Sequence, residues 1–188
     1  MDRLEGNVLR QPFDAVLDSQ PGVVSSASVA VLDGDDVRYI ARVAAGRIMS
    51  VAITVGTRFP AHATSLGRVL LAGLPNEHRA RWLRNARLKS FTDHTVTSAD
   101  RLAAVLEQAA HDGFALVDQE LEEGLRSIAV PLLGRDGQVI APANVSLHAG
   151  RTSADEALRT VLPALRAAAE RISADVALVS DAHPLPFA

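Results

Sequence analysis

Cysteine is absent from the 188 residues, which excludes a disulfide framework, a thiolate nucleophile and any Cys-based zinc site. No apolar run approaches the ~20 residues of a membrane-spanning helix. The opening stretch, Met-Asp-Arg-Leu-Glu-Gly, lacks the basic and apolar regions of a secretory signal. The expectation is a cytoplasmic protein without a membrane partner. A surplus of positive charge is missing too, since the formal net charge is −3. A surface that grips DNA through ~6–10 phosphates usually shows a basic face. The nearest candidate is Arg79, Arg81, Arg84, Arg87 and Lys89, spread around a polar helix and its exit, and it reads as a solvated surface. Internal repeats, low-complexity tracts and linkers that would announce a second domain are also lacking. What remains is 48% apolar sequence, enough for one substantial core.

Signatures of catalysis are equally scarce. Ser65, His62 and Asp118 can be arranged on paper as a triad, but no serine sits in a G-x-S-x-G elbow. His62, three residues before a helix start, reads better as a loop hydrogen-bonder than as a base. No Walker or dinucleotide glycine pattern occurs, so no cofactor is implied. The six histidines are scattered without H-x-H or H-x-x-x-H spacing, leaving a metal site only to tertiary assembly. Asn144-Val145-Ser146 matches a glycosylation sequon by accident of a cytosolic strand. An enzyme is not expected.

The pattern along the chain is mixed. Residues 3–19 suit a leading helix that Pro12 must kink or restart and Pro21-Gly22 end. Ser26 to Leu32 and Val37 to Ala44 are β-rich runs joined by Asp33-Gly34-Asp35-Asp36, a strong hairpin signal. Ile48 to Val55 reads as a third strand closed by Gly56. Helices follow over Ser65 to Gly73, after Pro75 through Trp82, and from a start marked by Thr97 and Asp100. Phe114 to Leu121, Leu125 to Leu133 and Val139 to Leu147 form a second set of strands. Thr152 to Val179 is a closing helix that Pro163 should kink or break, with Asp155 and Glu156 at its positive end. Two groups of three strands separated by helices indicate an α+β fold, a six-stranded, mostly antiparallel sheet with helices packed on its faces.

Two segments suggest a ligand. Phe59 to Ala72, F-P-A-H-A-T-S-L-G-R-V-L-L-A, is a loop that turns sharply into a helix, with Thr64 and Ser65 as capping residues. Such a start is an ordinary capped helix or, through its free amides and dipole, a seat for a small anion. In Val139 to His148, Val139, Ala141, Ala143, Val145 and Leu147 share one strand face, while Asn144, Ser146 and His148 share the other. The polar side either lines a cavity or faces solvent. Asp118 and Ser127 join it if the register allows.

Gly113 to Pro131 reads G-F-A-L-V-D-Q-E-L-E-E-G-L-R-S-I-A-V-P. Together with F-P-A-H-A-T-S-L-G-R-V-L-L-A it resembles the effector-binding domain of the IclR family of bacterial transcription regulators. The likeness runs from about Val24 to Val176, and the T-S-L-G-R form looks most like the branch controlling aromatic-acid breakdown through protocatechuate and β-ketoadipate. The resemblance implies a profilin-like or GAF-like fold, with a linker helix over 1–22, the effector-binding domain over 23–180 and a loose tail over 181–188. It implies ligand contacts at Ser65 and Leu66, at Asp118 and Ser127, and at Asn144 and Ser146, with Ile48, Val51 and Phe59 as apolar wall. The Ser65 and Leu66 amides would take a carboxylate. Ser127, Asn144 and Ser146 would donate to it or to a second oxygen, while Asp118 would accept from a hydroxyl. Ser65 and Asn144 stand where many relatives have simpler side chains, which favours a hydroxybenzoate or keto-diacid over glyoxylate or pyruvate.

The implied partners are a small organic acid effector and further copies of the chain, as homodimer or tetramer. DNA would be reached only through a winged helix-turn-helix that this chain does not contain. The alternative is a stand-alone GAF-like module regulating a protein. Arg58 and Arg68 flank the helix start, and their direction is not legible in the sequence. Arg126 reads as a structural ion-pair residue beside the Glu120–Glu123 cluster.

Overall fold

The computed structural model describes residues 2–44 and 53–182, with side chains from 8 to 44 and from 53 to 178. Six strands, β1 (Val24–Asp33), β2 (Asp36–Ala44), β3 (Arg58–Pro60), β4 (Ala115–Asp118), β5 (Leu125–Leu133) and β6 (Val139–His148), form one sheet in the order β3-β2-β1-β6-β5-β4. Every pairing is antiparallel. Two meanders therefore meet where β1 pairs with β6, so the first and last strands of the chain form the centre of the sheet.

Helices cover both faces. On one side α1 (Asp2–Ser19), α5 (Ala154–Thr160) and α6 (Leu162–Ala182) pack on Ala27, Val29, Ala143, Val145 and Leu147, with Phe13, Leu165 and Ile172 fully buried. On the other, α2 (Ser65–Ala72) and α4 (Ala99–Asp112) bring Leu66, Leu71, Leu102 and Leu106 to zero exposure over Ala30, Tyr39 and Ala129. Burial of each such leucine contributes about 1.5–3 kcal/mol. That anchors α2, which at eight residues is too short to persist alone. The polar helix α3 (Asn76–Asn85) fully buries no residue and only rests Trp82 and Leu83 against the α2-side core.

Several expectations are corrected. The third strand is Arg58–Pro60, pairing with Asp36–Arg38. Ile53 is buried but not in a strand, and Thr54–Thr57 is a turn closed by a 3.0 Å bond from Thr57 N to Thr54 O. The remainder of the expected third strand lies outside the described residues. β4 stops at Asp118, because Gln119 takes a positive φ of 58° and its carboxamide accepts from Gly124 N at 3.1 Å. The cap of α4 is Ser98 rather than Thr97. α1 runs unbroken over Pro12, its packing on α6 offsetting the lost bond, and it supplies Phe13, Val16 and Leu17 to the core. The closing helix divides at Val161, between α5 and the Pro163-bearing first turn of α6. Asp181 and Ala182 of the expected tail are helical, and the rest lies outside the described residues.

Candidate functional site

In an antiparallel ladder, residues opposite one another point to the same face. Ser26 of β1 lies opposite Ser146 of β6, which lies opposite Ser127 of β5. One step along, Arg42 of β2 lies opposite Ser28 of β1, which lies opposite Asn144 of β6. Two polar rows thus cross the α2 side of the sheet. Ser26, Ser28 and Ser146, with Ser127 and Asn144, are all buried. Burying such groups without partners is costly. Yet Ser26 Oγ, Ser28 Oγ, Asn144 Oδ1 and Arg42 Nη1 have no hydrogen-bond partner among the described residues.

The start of α2 sits over these rows. Thr64 caps it, its hydroxyl accepting from Gly67 N at 3.1 Å and its carbonyl from Arg68 N at 3.0 Å. The amides of Ser65 and Leu66 are left without an intrahelical acceptor. Ser65 Oγ, in a fully buried residue, is also unpartnered. The helix comes this close to the preceding 3₁₀ turn (Ala61–Ala63) only because residue 67 is glycine: a Cβ there would lie 2.1 Å from Ala61 O. Ala63 and Thr64 from above, Ser127, Asn144 and Ser146 from below, and Tyr39 at the side enclose a cavity of about 20 Å³.

A buried network fixes α2 in position. Arg68 donates Nη1 and Nη2 to the two carboxylate oxygens of Glu120 at 2.7 and 2.6 Å, and Nε to His62 O at 3.0 Å. Glu120 Oε2 also accepts from Val96 N at 2.9 Å, and its carbonyl accepts from Thr95 Oγ1 at 2.6 Å. His62 contacts Lys89 O through Nε2 at 2.9 Å, so the proton belongs on Nε2. Burial holds the His62 pKa below its ordinary value. Arg68 points inward but is occupied by Glu120. Arg58 lies at the sheet edge, paired with Asp33 at 2.7 Å and Asp36 at 3.3 Å.

Of the residues expected at the site, Ser127, Asn144 and Ser146 line the cavity, and Ser65 opens α2 above it. The Leu66 side chain belongs to the core, leaving its amide as its contribution. Phe59 packs edge-on against Tyr39, with ring centroids 5.8 Å apart, one layer behind the wall. Ile48 and Val51 lie outside the described residues. Asp118 is not at the site: Val117 faces the cavity opposite Ser127, so Asp118 points to the other side of the sheet. There it accepts from Arg126 Nη2 at 2.9 Å, while Arg126 Nη1 reaches Thr152 O. Arg126 therefore pairs with Asp118, not with the Glu120–Glu123 cluster. With His62 bonded to Lys89 and Asp118 across the sheet, the paper triad is not assembled. Val139 is also corrected. A bulge at Ile140 turns it to the α2 side, away from Ala141, Ala143, Val145 and Leu147.

The structure adds Tyr39, Arg42, Ser26 and Ser28. The serines carry a visible signal, since Ser26-Ala-Ser28-Val alternates as β6 does. Arg42 does not. Strict alternation would group it with Arg38 on the other side, but a bulge between Val29 and Ala30 sets Tyr39 opposite Ala30 and Ala41 opposite Val29. Ile40 is the extra residue, and Tyr39 and Arg42 come to share a face. Burial pushes the Tyr39 hydroxyl up to about 12, against the opposing pull of Arg42. Burial likewise lowers the Arg42 pKa, though a guanidinium remains charged.

An antiparallel sheet carrying a polar cavity beneath a capped helix is the architecture of a small-molecule receptor domain. The family model for the C-terminal domain of the bacterial transcriptional regulator IclR matches residues 22–174, and the chain belongs to that family. It is 46% identical over 144 residues to the Pca regulon regulatory protein of Pseudomonas putida, covering 76% of this chain and 50% of the relative. Its fold superposes on the inducer-binding domain of a PobR double mutant from Acinetobacter, solved with 3-hydroxybenzoic acid, at a TM-score of 0.80 and 29% identity, covering 88% of this chain and 95% of that one. An IclR homolog from Microbacterium hydrocarbonoxydans in complex with 4-hydroxybenzoate gives a TM-score of 0.79 at 28% identity, covering 93% of this chain and 68% of that one. These likenesses agree with the aromatic-acid branch indicated by T-S-L-G-R. The chain spans 50% to 60% of the length of the first curated relatives it matches.

Proposed function

We propose that this domain senses a small carboxylic or aromatic acid on behalf of an IclR-type transcription regulator. The observation that carries the reading is the set of buried, unpartnered polar atoms on facing surfaces, Ser65 Oγ above and Asn144 Oδ1 below. Buried polar groups in a folded protein normally find partners. A hydroxylated acid would supply them, a hydroxyl donating to Asn144 Oδ1 and an oxygen accepting from Ser65 Oγ and the Ser65 and Leu66 amides. The similarity to two regulators solved with hydroxybenzoic acids supports the ligand class.

The cavity holds about one water molecule, so an aromatic acid enters only if its walls part. That requirement suits a sensor. A ligand that binds the parted arrangement better than the closed one shifts the population between them, and with it the geometry of an assembly of domains. Dimers or tetramers of this domain are part of the proposal, as is DNA contact through a winged helix-turn-helix domain. Among the described residues no helix is long and apolar enough to cross a membrane, and the proposed setting is the cytoplasm. The domain binds its acid without converting it. A ligand of about ten heavy atoms should bind with micromolar to near-millimolar affinity, because so few contacts must offset the ordering costs.

Thermal melting of the purified chain against protocatechuate, 4-hydroxybenzoate, β-ketoadipate, glyoxylate and pyruvate tests the reading. A saturable rise with a ring acid or keto-diacid is expected, reduced by Asn144→Ala or Ser146→Ala. A folded sample indifferent to every acid would refute it.

A further inference from the structure

Building on the sensor reading, we propose that Arg42 binds the effector's carboxylate and sets its specificity. The acid would then lie across the sheet, with its carboxylate over β1 and β2 and a second oxygen, preferably a hydroxyl, under the start of α2. This orientation is the reverse of the one implied by the family resemblance, which gave the carboxylate to the α2 amides.

Four observations converge on Arg42. The β2 bulge turns it from the Arg38 side to the cavity side of the sheet, and bulges re-aim side chains in this way. Its Nη1 is buried and unpartnered, and no ion pair among the described residues includes it. The other arginines near the site are already committed: Arg58 to Asp33 and Asp36, Arg68 to Glu120, and Arg126 to Asp118 on the far side. The hydroxyls on its row and the next, Ser28 and Ser26, are buried and unpartnered as well. A guanidinium among serines, with no carboxylate paired to it among the described residues, is a site built for an anion. Arg42 is half-buried with its Nη1 sealed from solvent, so an anion that pairs with that atom on binding has differential affinity to offer.

The opposite end differs in kind. Asn144 Oδ1 needs a donor, which a carboxylate does not have and a hydroxyl does. A hydroxyl can give its proton to Asn144 and accept from a Ser65 or Leu66 amide. β2 and β6 are separated by β1 alone, about 9.5 Å at the backbone. The Arg42 side chain, on the same face of the sheet, is long enough to span part of that distance, and a single six-membered ring with substituents on opposite carbons, or a six-carbon chain oxygenated at both ends, bridges what remains.

Calorimetric titration of the full chain tests the assignment with 4-hydroxybenzoate, its uncharged counterpart 4-hydroxybenzamide, and benzoate, which lacks the hydroxyl. The wild type should prefer acid over amide by at least tenfold. Arg42→Gln should weaken 4-hydroxybenzoate about 10- to 100-fold and leave the amide nearly unchanged, collapsing that preference. Arg42→Lys should retain part of it. Asn144→Ala should erase the advantage of 4-hydroxybenzoate over benzoate while leaving the acid-over-amide preference. Without ligand, Arg42→Gln should melt close to the wild-type temperature, since the half-buried guanidinium has no ion pair among the described residues to lose. Binding of 4-hydroxybenzoate to Arg42→Gln within threefold of wild type, or equal loss of acid and amide, would overturn the assignment. A wild type that binds none of the three would overturn the ring-acid assignment, and one that also ignores β-ketoadipate and the other acids of the melting panel would refute the sensor reading beneath it.

Discussion

Gly67→Ala adds one methyl group where α2 passes the preceding 3₁₀ turn. The new Cβ would lie 2.1 Å from Ala61 O, 2.4 Å from its Cα and 2.6 Å from its carbonyl carbon, all backbone atoms that no rotamer change can move aside. Relief requires α2 or the turn to shift by more than an ångström. Neither is free to do so. Leu66 and Leu71 hold α2 in the core at zero exposure, and the Arg68–Glu120 pair ties its first turn to the segment after β4. Overpacking of this kind costs about 3 kcal/mol, while alanine's better helix propensity returns about 1 kcal/mol. The net loss of about 2 kcal/mol or more lowers the melting temperature by about 4–8 °C in a domain of this length. Gly73→Ala is the milder comparison, because its Cβ meets the half-buried Val139 side chain, Cγ2 at 2.8 Å and Cβ at 3.0 Å, and no backbone atom nearer than 3.4 Å, so a smaller change is expected. Differential scanning calorimetry of the three proteins decides the matter. If Gly67→Ala melts at or above wild type, helix propensity has won and the close approach does not constrain the site.

Two further outcomes follow from the network behind α2. Glu120→Ala strands the buried Arg68 guanidinium and should cost about 3–5 kcal/mol in urea denaturation. Adding Arg68→Ala should recover part of that loss, and strictly additive losses would show that the two side chains are not coupled. His62 has a folded-state pKa below its ordinary 6.5, with burial as the main cause. The unfolded chain therefore takes up this proton first as pH falls. The stability His62 contributes is complete above pH 6.5, declines as pH drops through the folded value and levels off below it. His62→Gln should flatten the pH dependence of the urea midpoint between pH 7.5 and 5, and identical slopes in the two proteins would exclude His62 as its source.

Hydrophobic periodicity and turn chemistry carried most of the fold in legible form. The hairpin at Asp33–Asp36, the capped start at Thr64–Ser65 and the Pro163 break all stand where local rules put them, and the polar side of β6 does line a cavity. What escaped notice depends on single-residue insertions. A strand's faces alternate only while its register holds, and bulges at Ile40 and Ile140 reverse the faces of Arg42 and Val139. Nothing in the local residue types announces either bulge. Asp118 and Ser127 both stand in the motif-bearing strand pair, but their register sets Ser127 opposite Val117 and leaves Asp118 on the far side. The direction of Arg68 depended on Glu120, 52 positions away, a pairing that only the tertiary structure supplies.

Amide resonances recorded during titration with 4-hydroxybenzoate address most directly whether an acid binds between α2 and the sheet. Saturable shifts should concentrate at Ser65, Leu66, Ser127, Asn144 and Ser146. Ala157, in α5 on the opposite side of the sheet, should stay nearly still. Shifts gathered around α5 and α6, or none at any concentration, would show that the buried polar rows beneath α2 are not an acid-binding site.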